Sequence, residues 1–187
     1  MKDILRVASV LALVCVIAAV SLAAVNEVTQ KEILRRSQEE LKEALRAVFP
    51  GADGFQKVQL SLSKETEGKD FSILELYQAF SRDKEIGYVF KVASSGYGGP
   101  IVMLIGVSTK DNKITGIQVL EHQETPGLGS NVAEPGFLGQ FTGKSIADPF
   151  KLNQDVKAIT GATISSRAMV RACLGVIEYL KGGSSRE

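Results

Sequence analysis

Four hydroxyl side chains surround a glycine and an alanine in one short segment near the carboxyl end of the chain, Thr160-Gly-Ala-Thr-Ile-Ser-Ser166. The segment lies where a loop is predicted to enter the last helix. The first turn of a helix has backbone N–H groups without intrahelical partners and carries partial positive charge. An anion, above all a phosphate, can accept hydrogen bonds from both the backbone and the side chains of such a segment.

Two interpretations of this segment follow from the residues alone. Serine and threonine are the preferred N-caps of ordinary helices, so the segment is consistent with a simple helix cap. The alternative is a phosphate site, in which Gly161 lets the backbone approach a ligand closely and the hydroxyls bond a phosphoryl oxygen or are esterified by one. The candidate residues of that site are Thr160, Gly161, Ala162, Thr163, Ser165 and Ser166.

The run from Asp155 to Ser166 resembles the flavinylation motif of FMN-binding domains. In that family the last threonine of a Ser/Thr-Gly-Ala-Thr sequence carries FMN through a phosphoester bond, and this position corresponds to Thr163. The resemblance implies covalent FMN and a separate, Mg-dependent flavin transferase that moves FMN from FAD onto the hydroxyl. Thr163 would be an anchor rather than a catalyst. Thr160 stands where many relatives have serine, which keeps the hydroxyl.

Two further loops are rich in glycine, Ser94-Ser-Gly-Tyr-Gly-Gly-Pro100 and Glu121-His-Gln-Glu-Thr-Pro-Gly-Leu-Gly129. Ordinary turns explain each loop by itself, although glycines around an aromatic side chain also allow the backbone to pass close to a planar ligand. The candidate ligand-binding residues in these loops are Tyr97, Gly98, Glu124, Thr125, Gly127, Leu128 and Gly129.

The three motifs together, in this order, resemble the family of G subunits of Rnf ion-translocating oxidoreductase complexes, which is related to the C subunits of the sodium-pumping NADH:quinone reductase. The resemblance covers nearly the whole chain. It implies that the residues of the second loop lie beside the flavin ring and that Asp155 lies near the phosphate turn. It also implies an electron relay within a complex that exchanges electrons between ferredoxin and NAD and moves Na+ or H+. The other subunits of that complex are the expected partners.

The amino-terminal part of the chain contains an uncharged apolar run at residues 7–25. At about 1.5 Å per residue the run covers roughly 28 Å, close to the roughly 30 Å hydrocarbon core of a bilayer. A cleaved secretory signal with a site near Ala23 is the alternative. We favour a retained helix in the cell membrane, in contact with lipid, because the run exceeds the usual signal core and helix-forming sequence follows it. Positive charges flank both ends, so the charge count does not fix the orientation; we predict that the soluble domain is extracytoplasmic.

An amphipathic helix is predicted to continue from the membrane span. Leu34, Leu41 and Val48 recur every seven residues, and Pro50 and Gly51 end the helix. Ile33, Ser37, Ala44 and Leu45 fill the same stripe. Three heptads are short for a coiled coil, so we expect the stripe to dock on the chain's own domain. The predicted organisation is a transmembrane helix at 1–25, a stalk helix at 26–50 and an FMN-binding domain at 51–187.

The predicted fold class of the soluble domain is α+β, with a mainly antiparallel sheet and flanking helices. A short strand is predicted at 60–62. Hairpins are predicted from 73–80 with 87–93, across a charged turn at 82–85, and from 101–108 with 113–120. Short helices and loops are predicted at 126–141, followed by an amphipathic closing helix at 164–180 that ends at Gly182 and Gly183. The tail at 184–187 is predicted to fray.

Composition excludes several other classes of function. The chain has 22 basic and 21 acidic residues without a basic stripe, which argues against nucleic acid as a partner. One histidine, His122, and two cysteines, Cys15 and Cys173, are too few for an iron–sulfur cluster or a structural zinc site. No nicotinamide-binding glycine fingerprint follows a first strand. The alternatives that the sequence leaves open are a membrane-anchored assembly module without flavin and an FMN-binding sensor or reductase.

Overall fold

The computed structural model describes residues 2–59 and 70–183 of the chain. The predicted strand at 60–62 and the predicted frayed tail at 184–187 lie outside the described residues. The α-helices are α1 (Lys2–Val48), α2 (Pro135–Leu138) and α3 (Thr163–Gly183), and a 3-10 helix covers Gly129–Ala133. The strands are β1 (Gly54–Val58), β2 (Phe71–Ser81), β3 (Lys84–Ser95), β4 (Pro100–Ser108) and β5 (Lys113–Glu121). The fold class is α+β, which confirms the prediction.

The five strands form one antiparallel sheet in the order β1-β2-β3-β4-β5. Both predicted hairpins are confirmed, with strands longer than expected. Positive φ angles at Arg82, Asp83 and Asn112 close the two turns, and Asp and Asn are residues that tolerate the left-handed region. Strand β1 was not predicted, because its Gly-Phe-Gln-Lys-Val sequence lacks the apolar run that marks the other strands.

Helix α3 packs on one face of the sheet and forms the main core. Its buried residues recur at helical spacing, which confirms the predicted amphipathic closing helix. They include Ala168, Ala172 and Val176, and they share one apolar cluster with Phe90 and Ile105 of the sheet. Dense packing of this kind fixes the height and rotation of the helix, and therefore fixes where its first turn lies.

The end of α1 occupies a slot in the other face of the sheet. Val48 and Phe49 are buried there. Two glycines form the bottom of the slot. A Cβ on Gly106 would lie 2.8 Å from Val48 Cγ1, and a Cβ on Gly116 would lie 2.9 Å from the Val48 carbonyl oxygen. The Thr115 hydroxyl donates a hydrogen bond of 2.8 Å to that same carbonyl, which has no partner within the helix.

The chain divides into two compact units, Met1–Lys42 and Glu43–Glu187. In the first unit, Ile33 of the predicted stripe is exposed, whereas Ala44 and Leu45 of the second unit are buried. The part of the stripe that belongs to the second unit is therefore packed within that unit. Among the described residues, one helical stretch within Leu11–Val48 is long and apolar enough to cross a bilayer, with a mean hydropathy of 2.3 in its most apolar window. This helix fits a single-pass membrane anchor.

Candidate functional site

The topology brings the two glycine-rich loops to one end of the sheet. Ser95 at the end of β3 pairs with Pro100 at the start of β4, so residues 96–99 form a tight connection there. Glu121 at the end of β5 pairs with Val102. The segment after Glu121 therefore leaves the sheet beside that connection, and antiparallel pairing accounts for the meeting of motifs that are far apart in sequence.

Glu124 joins both loops to α3. Its Oε1 accepts hydrogen bonds from the backbone N–H groups of Tyr97 at 2.8 Å and Gly98 at 3.1 Å. Its Oε2 accepts a hydrogen bond of 2.6 Å from the Ser165 hydroxyl. The side chain is only 5% exposed. A buried carboxylate needs such partners, and here they lie on two separate segments, the loop at 96–99 and the first turn of α3.

The glycines of both loops make room for these contacts. A Cβ on Gly96 would overlap Glu124 Oε1, and a Cβ on Gly129 would overlap Glu124 Oε2 and lie 2.9 Å from Ser165 Oγ. A Cβ on Gly98 would overlap the carbonyl oxygen of Gln123. These three glycines are therefore required for close packing around the carboxylate, whatever ligand the site holds.

We predict that Gly129→Ala lowers the free energy of unfolding by about 2–4 kcal/mol, because the new methyl displaces a buried hydrogen-bonded carboxylate. Gly136→Ala in α2 is the matched control, since its Cβ would meet nothing within 4 Å. We expect that control to change stability by less than about 1 kcal/mol. Urea-dependent labelling of the buried thiol of Cys173, resolved by peptide mass from Cys15, measures both variants. Equal stability of the two variants would contradict the prediction.

Two tight turns shape the loops that surround the site. In the first, the Leu128 N–H donates to the Thr125 carbonyl at 3.2 Å, and Gly127 has φ +75°. In the second, the Ala162 N–H donates to the Ile159 carbonyl at 3.0 Å, and Gly161 has φ +80°. A positive φ at the third residue, without one at Pro126 or Thr160 in the second position, is characteristic of a type II turn and explains both glycines.

Ser166 secures the second turn to α3. Its hydroxyl accepts a hydrogen bond of 3.1 Å from the Ile159 N–H and donates one of 2.9 Å to the Ala162 carbonyl. The residue is completely buried. Ser166 thus holds the backbone in place, and its hydroxyl is already engaged within the chain.

The first turn of α3 has open hydrogen-bonding capacity. The helix begins at Thr163, so the N-cap residue is Ala162, whose methyl group accepts no hydrogen bond. Among the described residues, none accepts a hydrogen bond from the N–H groups of Thr163, Ile164 or Ser165. The Thr163 side chain is exposed. A hydroxyl therefore stands beside unpaired N–H groups, which is an environment for an anion.

A cavity of about 460 Å³ opens at this helix end. Its volume lies within the roughly 300–1,000 Å³ of small-ligand sites. The lining consists of Tyr97, Glu124, Thr125, Leu128, Gly129, Gly161, Ala162, Thr163, Ile164 and Ser165. Of the residues predicted from sequence, Gly98, Gly127, Thr160 and Ser166 lie outside the lining, and the rest are brought together in it. Ile164 was missed, although its place in the motif beside Thr163 could have indicated it.

Large apolar side chains are exposed around the cavity. Tyr97 is 72% exposed, Ile164 50% and Leu128 47%. Each comes from a different segment of the site, and Leu128 also approaches Gly161, where a Cβ would lie 3.3 Å from Leu128 Cδ2. Apolar walls beside a polar helix terminus suit a ligand with a planar ring at one end and an anionic group at the other.

Three further residues singled out in the sequence lie outside the cavity lining. Asp155 accepts a hydrogen bond from the Lys151 N–H and lies 3.5 Å from Lys144 Nζ. His122 Nδ1 accepts a hydrogen bond of 3.3 Å from the Glu124 N–H. Cys173 is buried, and burial raises the pKa of its thiol far above the usual value, so it is a core residue rather than a reactive one.

Residues 96–178 match the model of the FMN-binding domain family. The matched range contains all the residues of the cavity, so the class that fold and site define is an FMN-binding domain. The chain is 35% identical to the G subunit of the ion-translocating oxidoreductase complex of Methanosarcina acetivorans, over 96% of this chain and 95% of that protein. It is 32% identical to the G subunit of the proton-translocating ferredoxin:NAD(+) oxidoreductase complex of Clostridium ljungdahlii, over 96% of this chain and 92% of that protein.

The fold was also compared with the crystal structure of the C subunit of the Na(+)-translocating NADH-quinone reductase from Parabacteroides distasonis. The two chains are 26% identical in sequence, the match covers 57% of this chain and 61% of the C subunit, and the TM-score is 0.47. The similarity to the G subunits, by contrast, extends over nearly the full length of the chain. The chain belongs to the family of G subunits of ion-translocating oxidoreductase complexes, which confirms the resemblance found in its motifs.

Proposed function

We propose that this chain is a membrane-anchored flavoprotein that carries FMN as a phosphoester of Thr163 and relays electrons within an ion-translocating ferredoxin:NAD oxidoreductase complex. The observation that carries the proposal is the first turn of α3. There an exposed threonine hydroxyl lines a cavity, beside backbone N–H groups that have no partner among the described residues. The protein relays electrons only as part of the complex, so its partners are the other subunits.

The phosphate of the cofactor binds at the first turn of the helix. The N–H groups of Thr163, Ile164 and Ser165 supply the donors, and the helix dipole favours the negative charge. Gly161 lets the preceding turn bend away, since its φ of +80° is strained for any residue with a Cβ. Ser166 secures this turn through its bonds to Ile159 and Ala162, and Thr160 contributes the backbone of the turn from outside the cavity.

Attachment exchanges one phosphorus–oxygen bond for another. The Thr163 hydroxyl loses its proton and forms the new bond to the phosphorus of the FMN half of FAD, while the pyrophosphate bond breaks and AMP, the other half, leaves with the bridging oxygen and takes up a proton. A flavin transferase catalyses this step during maturation. The chain itself offers the acceptor hydroxyl and has no acidic or basic side chain in the lining except Glu124, whose two oxygens are already engaged.

The apolar walls receive the ring system. Tyr97, Leu128 and Ile164 present apolar surface, and Thr125 and Gly129 offer backbone groups beside it. Bound FMN supplies a carrier that accepts electrons singly or in pairs, which suits a step between one-electron donors and acceptors. The covalent bond prevents loss of the cofactor from a site that is open to solvent.

Helix α1 anchors the protein in the lipid bilayer, with the transmembrane segment at residues 1–25, the stalk at 26–50 and the FMN-binding domain at 51–187. We assign the domain to the extracytoplasmic side of the cell membrane. A tether is most useful there, because a cofactor that dissociates outside the cell is lost.

Intact mass spectrometry of the full-length chain, expressed with and without a flavin transferase, tests the proposal. We expect a gain equal to FMN less water only with the transferase, and peptide mapping is expected to confine that gain to the peptide containing Thr163. A chain that gains no mass beside an active transferase would contradict the flavoprotein assignment and favour a membrane-anchored assembly module without flavin.

A further inference from the structure

The two arginines of helix α3 have different surroundings. Arg171 Nη1 forms an ion pair of 3.1 Å with Asp70 Oδ2. Arg167 is exposed, and no residue within 2–59 or 70–183 accepts a hydrogen bond or ion pair from it. One arginine is therefore neutralised by the fold, whereas the other, which lies outside the cavity lining, has five N–H donors without an acceptor among the described residues.

Arg167 lies one helical turn after Thr163. Side chains four residues apart on a helix are neighbours, with roughly 5–6 Å between their Cβ atoms. Helical side chains also lean toward the amino terminus, so a long side chain covers the turn that precedes it. The guanidinium of Arg167 therefore has the first turn of α3 within its range.

No carboxylate in the cavity lining has a free oxygen that would compete with a phosphate for the positive charge of Arg167. Glu124 is the one acidic residue of the lining, and the N–H groups of Tyr97 and Gly98 and the hydroxyl of Ser165 occupy both of its oxygens. A phosphate on the Thr163 hydroxyl would meet backbone N–H groups at the helix end and an unpaired guanidinium along the same helix face.

We propose that Arg167 binds the phosphate of FMN at the first turn of α3, both before attachment and after it. The proposal rests on the proposed function for Thr163 and adds a residue outside the hydroxyl-rich motif. A guanidinium suits this role because its planar set of donors bonds two phosphate oxygens at once. The bond is charge-assisted, and it is weakened by salt because the site is open to solvent.

Comparing FMN with riboflavin isolates the phosphate, because the two probes differ in that group alone. The full-length chain is expressed without the transferase, and binding of each flavin is followed by its fluorescence. We expect Arg167→Gln to reduce the preference for FMN over riboflavin by about three- to tenfold and to leave riboflavin affinity unchanged. Arg171→Gln, which breaks the pair with Asp70, is the matched control and should keep the wild-type preference.

Phosphorus-31 NMR of the flavin-loaded chain provides the second measurement. We expect the phosphodiester resonance to move in Arg167→Gln but not in Arg171→Gln, and its dependence on salt to be lost in the first variant. An unchanged preference for FMN in Arg167→Gln overturns the proposal. If the unloaded chain binds neither flavin below millimolar concentration, an unchanged phosphorus resonance overturns it instead.

These results are separable from the test of the proposed function. Attachment at Thr163 is judged from mass alone. If the phosphorus resonance of the loaded chain is unchanged in Arg167→Gln, the attachment stands and this arginine does not contact the phosphate. Conversely, a chain that never gains flavin mass refutes the attachment, and the FMN-to-riboflavin ratio still decides whether Arg167 recognises the phosphate.

Discussion

Thr163→Ala is expected to abolish covalent loading completely when the transferase is present, with no gain of flavin mass on any peptide. The substitution removes the oxygen that forms the phosphoester, and the other hydroxyls of the segment do not replace it. Ser166 is completely buried, and the hydroxyl of Ser165 is committed to Glu124. Intact mass and flavin fluorescence in a denaturing gel measure the loss.

The same variant is expected to fold normally, which makes the loss of loading specific. Thr163 is exposed at the first position of α3, and no side chain among the described residues bonds its hydroxyl. Exposed substitutions away from caps and core contacts change stability by about 0.5 kcal/mol or less. An unchanged urea profile of Cys173 labelling would show that the folded acceptor is intact.

Thr160→Ala provides the matched control for the loading experiment. Thr160 is exposed in the turn before α3 and lies outside the cavity lining, so we expect nearly full loading in this variant. Thr163→Ser keeps the acceptor oxygen and is expected to load, more slowly because the methyl that restricts the rotamer is missing. Full loading of Thr163→Ala would move the attachment to another residue and contradict the assignment.

Local sequence patterns predicted most of the sheet because each hairpin is a local structure. The turn at Arg82 and Asp83 and the turn at Asn112 join strands that are neighbours in sequence, so turn chemistry and apolar runs are sufficient. Strand β1 was not predicted, because its pairing with β2 depends on Leu76 to Phe80 across a long connection rather than on a pattern of its own.

Only part of the site could be predicted from the sequence, because contacts between segments decide which of its hydroxyls are free. Hydroxyl and glycine motifs indicated which segments surround the cavity, yet residue type does not separate a hydroxyl that is free from one that is engaged. Ser166 and Thr163 are chemically similar, but the first secures a turn and the second faces solvent. Only the three-dimensional contacts make this distinction, because the partners of Ser166 include the backbone of Ile159, seven residues earlier in the chain.

The contacts of Glu124 show most clearly that local sequence patterns do not reveal the partners of a side chain. The resemblance assigned it to the flavin ring, and it does line the cavity. Its carboxylate also binds two loop N–H groups and the hydroxyl of Ser165. No local pattern reveals this second role, because the three donors lie 26 to 41 residues away in sequence.

Glu124→Ala is therefore expected to lower the free energy of unfolding by about 2–4 kcal/mol, since each buried donor that loses its acceptor costs about 1–3 kcal/mol and the loop N–H groups recover part of this from water. The loss should be largest at the meeting point of the loops. We expect protease cleavage of the native chain to appear first at residues 96–99, and urea-dependent labelling of Cys173 to give the change in stability.

Glu124→Gln separates the hydrogen bonds from the charge. The amide oxygen still accepts from Tyr97 and Gly98, and the Ser165 hydroxyl can rotate to accept from the amide nitrogen. We expect a loss of only about 1 kcal/mol, because neutral hydrogen bonds are weaker than charge-assisted ones while the burial of a neutral amide is less unfavourable. Equal destabilisation by alanine and glutamine would show that charge, not the set of hydrogen bonds, holds the loops.

Flavin loading gives these two variants a further, independent readout. If Glu124 acts by holding the loops around the first turn of α3, glutamine should retain most of the loading by the transferase and alanine should lose most of it, in parallel with stability. A glutamine variant that is stable but unloaded would instead mean that the carboxylate itself contacts the flavin or the transferase. The two roles of Glu124, as a connector of loops and as a cavity wall, are distinguished by that single comparison.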